Sequence, residues 1–179
     1  MIGDIMTTET ESKIETSLMP ESGTERPKRM AIIASKGTLD AAYPPVILAS
    51  TAVAMDMEVA IFFTFYGLDL IHKKRSKKLK VSPIANPAAP MPVPNIIGMI
   101  PGMTGMATWM MKRWMKGANV AKFEELREIC IESGVRMIGC QMTMDVMGVK
   151  ETDLIEGVEL GGAASFLEFA KDADITLFM

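Results

Sequence analysis

Short, nearly unbroken apolar runs alternate along this chain with stretches in which apolar residues recur every three or four positions. Met30-Ala31-Ile32-Ile33-Ala34-Ser35, entered from Lys28-Arg29, is a run of strand length. Glu58 to Phe65 is a second, apolar at almost every position and so buried on both faces, as strands of parallel sheets are. Arg136 to Cys140 and Ile175 to Phe178 read as two more. Between them the spacing becomes helical. Pro44 to Met55 reads as a helix whose two prolines are tolerable only in its first turn. Gly67 to Lys73 reads as a short helix. Lys122 to Ser133 sets Phe123, Leu126, Ile129 and Cys130 on one stripe, with Gly134 as its stop. Ala163 to Asp172, with Phe166, Leu167 and Ala170 inward, is the last helix.

Strands alternating with helices at these intervals predict a doubly wound, mostly parallel α/β sheet, a single three-layer domain of the flavodoxin-like kind. The domain is expected over residues 29–179, with a Pro- and Met-rich apolar insertion at 81–116. From Val81 to Met111 there is no charged residue, yet six prolines interrupt the stretch up to Pro101. A membrane-spanning helix needs about 20 apolar residues in continuous helix, which those prolines forbid. Only Gly102 to Lys116 can be regular helix, roughly four turns. Residues 1–28, rich in Thr, Ser and Glu, cannot bury enough apolar surface to offset chain entropy and are expected to be a disordered polar tail.

Charge refines this division. Residues 1–28 carry six acidic and three basic side chains; the net charge of -3 is therefore all in the tail, since the rest holds 16 of each sign. A formally neutral body does not ask for nucleic acid. With His72 as the only histidine, neither a His-rich metal site nor a local His-based catalytic triad is expected. Two cysteines in 179 residues argue against a disulfide-stapled secreted domain and for a reducing compartment. The opening residues Met1 to Met6 lack the basic and apolar regions of a secretory signal, so the expected location is cytoplasmic, with contact to a membrane surface left open.

The candidate chemistry centres on Cys140-Gln141-Met142-Thr143. A strand delivers the cysteine to the start of a short helical turn, and strand ends facing helix starts are where open α/β folds hold ligands. A helix start favours a thiolate over a thiol. Gln141 and Thr143 stand at that start, and the expected sulfur is accessible at the mouth of a pocket. The plainer reading is an inert buried cysteine, a small hydrophobe. Cys130, mid-helix on the apolar stripe, reads as core. Lys36-Gly37-Thr38 follows the first strand and in a parallel sheet opens on the same edge as Cys140, so Lys36 is a candidate to hold an anion or thiolate and Gly37 to allow close backbone approach. A plain turn with a solvated lysine is the alternative.

Two surface features stand apart. Met99, Met103, Met106, Met110 and Trp114 share one helical face, which reads either as core packing or as an adaptable docking surface framed by Lys112, Arg113 and Lys116. Lys73 to Lys80 packs six basic residues into eight, either a solvated face or a patch that steers acidic partners or anionic lipid.

Taken together, Ser35-Lys36-Gly37-Thr38-Leu39-Asp40, Ile61 to Leu68 and Cys140 to Gly148 resemble the DsrE/DsrF-like sulfur-relay family, in its longer branch often labelled peroxiredoxin-like. The resemblance covers roughly residues 29–179 and is most specific at the cysteine segment. It implies a compact α/β domain that self-associates and holds sulfane sulfur as a persulfide on the cysteine matching Cys140, with TusA-like and rhodanese-like proteins as partners. Some relatives carry a further cysteine in the loop spanning Pro83 to Pro101, where this chain has none. Longer members are implied to touch the membrane through the segment matching Ile96 to Met115. The expected function is a sulfur carrier or sulfurtransferase subunit using Cys140, with Lys36, Gly37, Thr38, Gln141 and Thr143 around the sulfur and no metal or organic cofactor. The rival is a non-catalytic docking or scaffold protein that uses the Met-rich helix and basic run.

Overall fold

The computed structural model describes residues 26–82 and 102–179. Its strands are β1 (Arg29–Ala34), β2 (Glu58–Phe63), β3 (Arg136–Cys140), β4 (Val158–Gly161) and β5 (Ile175–Phe178). They form one sheet in the order β4-β3-β2-β1-β5, and every pairing in it is parallel. The helices are α1 (Leu39–Ala54), α2 (Leu68–Ile71), α3 (Met103–Gly117), α4 (Phe123–Glu132), α5 (Gln141–Met147) and α6 (Ala163–Ala170). The result is the expected flavodoxin-like, three-layer α/β domain.

Topology decides which helix lies where. From β1 to β4 the chain steps across the sheet in one direction, so the right-handed crossover rule lays those connections on one face. It then returns past β1 to place β5, and the reversed step puts α6 on the opposite face. The alternation of side chains along each strand follows suit. Ile32, Ile61, Phe63 and Met137 point into the larger core with Val46, Ala49 and Cys130 of α1 and α4. Ala31, Ala60, Phe62, Ile138 and Cys140 point the other way, onto Phe166 and Phe169 of α6. Phe62 and Phe166 stack at 5.0 Å between ring centroids. At the strand starts, Phe169 lies between two guanidinium groups, Arg29 at 5.4 Å and Arg136 at 5.8 Å. Glu58 and Glu159 hold those arginines at 2.6 and 2.7 Å.

Several elements differ from expectation. α1 begins at Leu39, so Pro44 and Pro45 lie inside it rather than in its first turn. Leu39 and Ala42 are buried, and the Leu39 amide donates to the Lys80 carbonyl, so tertiary anchoring extends the helix ahead of the prolines. β4 was not expected. On α4, Phe123 and Cys130 face inward, but Ile129 is exposed and Arg127 is buried in its stead. The Arg127 Nη1 donates to the Leu70 carbonyl at 2.7 Å and its plane lies over the Phe123 ring. On α6, Phe169 takes the inward place given to Leu167.

α3 matches the expected helix, and its Met stripe is divided, with Met103 and Met110 half-buried. Met106 and Trp114 are exposed, as is Trp109 beside them, and Thr108 is the residue of this helix that is buried. Met99 and the rest of 83–101 lie outside the described residues. No helix among the described residues is long and apolar enough to cross a membrane. Of the expected tail, residues 1–25 lie outside the described residues, while Arg26 pairs with Asp174 at 3.3 Å and the Lys28 carbonyl accepts the Glu58 amide.

His72 is buried, bridged antiparallel to Leu154, with its Nδ1 accepting the Lys74 amide at 3.1 Å. Burial, assisted by the Arg75 charge, lowers its pKa from the ordinary 6.5. A depressed histidine favours the neutral form in the folded state, so its contribution is fully present above about pH 6.5 and is lost as pH falls through the folded value. Thermal melts should therefore show wild-type stability dropping between pH 7 and 5 more steeply than that of His72→Asn, which keeps an acceptor for the Lys74 amide but cannot titrate. Parallel pH curves for the two proteins would contradict this.

Candidate functional site

The carboxyl ends of β1, β2 and β3 bring the cysteine segment and the Lys36 loop to one edge of the sheet. Cys140 is the last residue of β3 and the N-cap residue of α5, in extended backbone conformation. It lies opposite Gly161 of β4 on one side. On the other, Phe63 pairs with Gly139, so Thr64 follows beside Cys140.

The sulfur is less open than expected. Cys140 is 4% exposed in the single chain, packed in the apolar cluster of the α6 face. Its side chain makes no capping hydrogen bond to the first-turn amides of α5. The reason is strand alternation: Cys140 follows Ile138 onto the α6 face rather than standing out along the strand axis.

The other expected residues fall as follows. Thr143 is fully buried, and its Oγ1 shares a 3.0 Å hydrogen bond with the Thr64 Oγ1. That bond ties α5 to the end of β2 and sets the position of the turn. Gln141 is exposed. Thr38 is the N-cap of α1 and works through its carbonyl, which accepts the Ala42 amide at 2.9 Å, not through its hydroxyl. Lys36 is exposed at the end of β1. Two strand spacings, roughly 10 Å, separate β1 from β3, and no hydrogen bond or ion pair joins Lys36 to Cys140 among the described residues.

Gly37 is needed for close approach, as expected, but to protein backbone. A Cβ at Gly37 would overlap the Tyr66 carbonyl oxygen, and one at Gly67 would overlap the Ala34 carbonyl oxygen. The Ala34 carbonyl also accepts the Thr64 amide at 3.1 Å. The loops after β1 and β2 are thus interlocked by two glycines. Between them Phe65 adopts φ +47, a left-handed conformation rare for an aromatic residue and the kind of strain that collects at functional sites.

That strain holds two aromatics at the surface. Phe65 is 52% and Tyr66 66% exposed, and the 3₁₀ turn carrying them (Phe65–Gly67) contacts α5, where Met142 is 63% exposed. An apolar rim therefore lies alongside the cysteine segment. Sequence reasoning missed Thr64, Phe65, Tyr66 and Met142; the signal available was their register, at the end of the strand adjoining β3.

Cys130 has no such setting. It is fully buried, its Sγ donates to the Val46 carbonyl at 3.3 Å, and burial pushes its pKa up to about 11. A thiol so placed is a poor nucleophile at neutral pH.

The sulfur carrier protein DsrE2 of Allochromatium vinosum is 52% identical over 158 residues, spanning 85% of this chain and 98% of that protein. The uncharacterized protein YrkE of Bacillus subtilis is 32% identical over 159 residues, 87% of this chain and 99% of its own. Among solved structures, the ychN protein from E. coli aligns over 85% of this chain and 99% of its own, at 13% identity and a TM-score of 0.46. The DsrE/DsrF/DrsH-like family profile matches residues 26–178, which takes in all five strands and both loops of the edge where Cys140 stands. With that match over most of its length and a relative identical at half its positions, the chain belongs to the DsrE/DsrF/DrsH-like family.

Proposed function

We propose that this protein is a sulfur carrier that holds sulfane sulfur as a persulfide on Cys140 and passes it to a partner thiol. The carrying observation is the contrast between the two cysteines. Cys140 ends a strand at the family's loop edge, whereas Cys130 is locked in the core by a hydrogen bond and a raised pKa. The 52% identical sulfur carrier of A. vinosum supports the role.

The chemistry balances in two exchanges. The Cys140 thiolate attacks the outer sulfur of a donor persulfide R–S–SH, a new S–S bond forms, the donor S–S bond breaks, and R–S⁻ leaves. An acceptor thiolate then attacks the outer sulfur of Cys140–S–SH and regenerates the Cys140 thiolate. No net oxidation occurs. The nearly covered thiol must reach the surface for either step, and partner docking on the rim of Phe65, Tyr66 and Met142 is the natural trigger. Acceptors and donors are then small proteins bearing exposed thiols, of the TusA-like and rhodanese-like kinds.

Self-association belongs to the same proposal. Among the described residues β5 is an edge strand of the sheet, and its exposed Phe178 together with exposed Leu167 on α6 offers apolar surface for a second copy. The exposed Met106, Trp109 and Trp114 of α3 favour a further docking role, the rival reading, which needs no sulfur on Cys140.

Sulfur transfer from a labelled donor persulfide to an acceptor thiol separates the two. Wild-type protein should carry the label across and Cys140→Ser, shown to be folded by circular dichroism, should not. Undiminished transfer by Cys140→Ser would end the carrier assignment.

A further inference from the structure

A cavity of about 600 Å³ opens on the α1/α4 side of the sheet, between the start of α1, the 3₁₀ turn Ser76–Lys78 and the junction of α3 with α4. Its volume falls in the range of small-molecule sites. The thiol of Cys140 faces the opposite side of the sheet, so the cavity is separate from the sulfur chemistry.

The lining is divided in character. Leu39, Leu79 and Phe123 are buried apolar walls. Ser76 lies among them, 3% exposed, and its hydroxyl has no hydrogen-bond partner. A buried hydroxyl left unpaired costs free energy that a ligand oxygen would recover. At the exposed rim stand Lys112 and Lys116, one turn apart on α3, and Lys122 at the start of α4.

Two carboxylates share the lining with the three rim lysines, which leaves one net positive charge there. Glu125 is engaged with Lys122, taking its backbone amide at 3.3 Å and its ammonium at 3.4 Å. Glu124 remains against Lys112 and Lys116, and the neighbouring run Lys73 to Lys80 adds six more basic residues, of which Arg75 is paired to Asp69. The field over the opening is positive.

We propose that this cavity binds an amphipathic organic anion, its apolar body on Leu39, Leu79 and Phe123 and its head held by Lys112 and Lys116, with the Ser76 hydroxyl donating to a ligand oxygen. The test is calorimetric titration of the full chain with octyl phosphate, set against inorganic phosphate and octanol, which carry the head and the body alone. Octyl phosphate should bind at one site, at least about tenfold more tightly than either fragment, a gap of about 1.4 kcal/mol. Lys112→Gln with Lys116→Gln should weaken it by about tenfold or more, and Ser76→Ala by several-fold without lowering the melting temperature, because that variant removes the unpaired group. Cys140→Ser should bind as wild type does. Absence of saturable binding at millimolar octyl phosphate, equal binding of a fragment, or full affinity in the double lysine variant would each overturn the proposal. Full affinity in Ser76→Ala would overturn the part assigned to its hydroxyl.

Discussion

Replacing Gly67 with alanine is expected to destabilise the protein by about 3 kcal/mol, the upper range for inserting a methyl group into packed structure. The conformation is not the obstacle, since Gly67 has φ -59. Space is. The added Cβ would overlap the Ala34 carbonyl oxygen, which is backbone and already accepts the Thr64 amide. Relief requires β1 and β2 to part at their carboxyl ends, the edge from which the loop beside Cys140 springs. Gly105→Ala supplies the opposite control. That glycine sits inside α3 with none of the described residues within 4 Å of a Cβ placed there, so alanine should stabilise by about 0.5–1 kcal/mol through helix propensity. Urea unfolding of both variants checks the pair. A Gly67→Ala midpoint equal to wild type would mean the two loops do not interlock as described.

The second large effect concerns the two thiols. At neutral pH, alkylation of Cys130 in the folded protein is expected to be suppressed by at least about a hundredfold relative to a free thiol. Its pKa is raised from 9.0 to about 11 by burial, and each unit removes roughly nine-tenths of the thiolate. Full burial and the bond to the Val46 carbonyl add to that figure. Cys140, covered only by the single chain's own packing next to an exposed rim, should label first. Native-state alkylation followed by peptide mapping reads the order. Labelling of Cys130 ahead of Cys140 would contradict the assignment of the two sulfurs.

How far the chain could be read from its sequence differs by element, for physical reasons. β1, β2 and β3 were legible because central strands of a parallel sheet are buried on both faces and show as unbroken apolar runs. β4 was not, because Val158-Glu159-Leu160-Gly161 is a four-residue edge strand with a charge in its middle. Helical spacing placed α3 and α4 well. It could not foresee that Arg127 would be buried against the Phe123 ring and the Leu70 carbonyl while Ile129 faced solvent. That choice depends on where α2 lies, which periodicity does not encode.

The site divides in the same way. A cysteine at the junction of a strand and a helix was visible in the sequence, as was its sharing an edge with Lys36. The direction of the thiol was fixed only by the register of β3, which turns Cys140 toward α6 with Ile138. Likewise, the hydroxyl partner of Thr143 is Thr64, 79 residues away in the chain. Such pairings arise from strand order and leave no local trace. The buried His72, fixed by a single bridge to Leu154, is a third case.

The carrier account turns on which sulfur holds the cargo. Wild-type protein incubated with inorganic polysulfide, alkylated and digested, should show one added sulfur atom on the peptide containing Cys140 and none on that containing Cys130, with the adduct lost on mild reduction. An adduct confined to Cys130, or an unmodified Cys140 under conditions that load an ordinary exposed thiol, would contradict it.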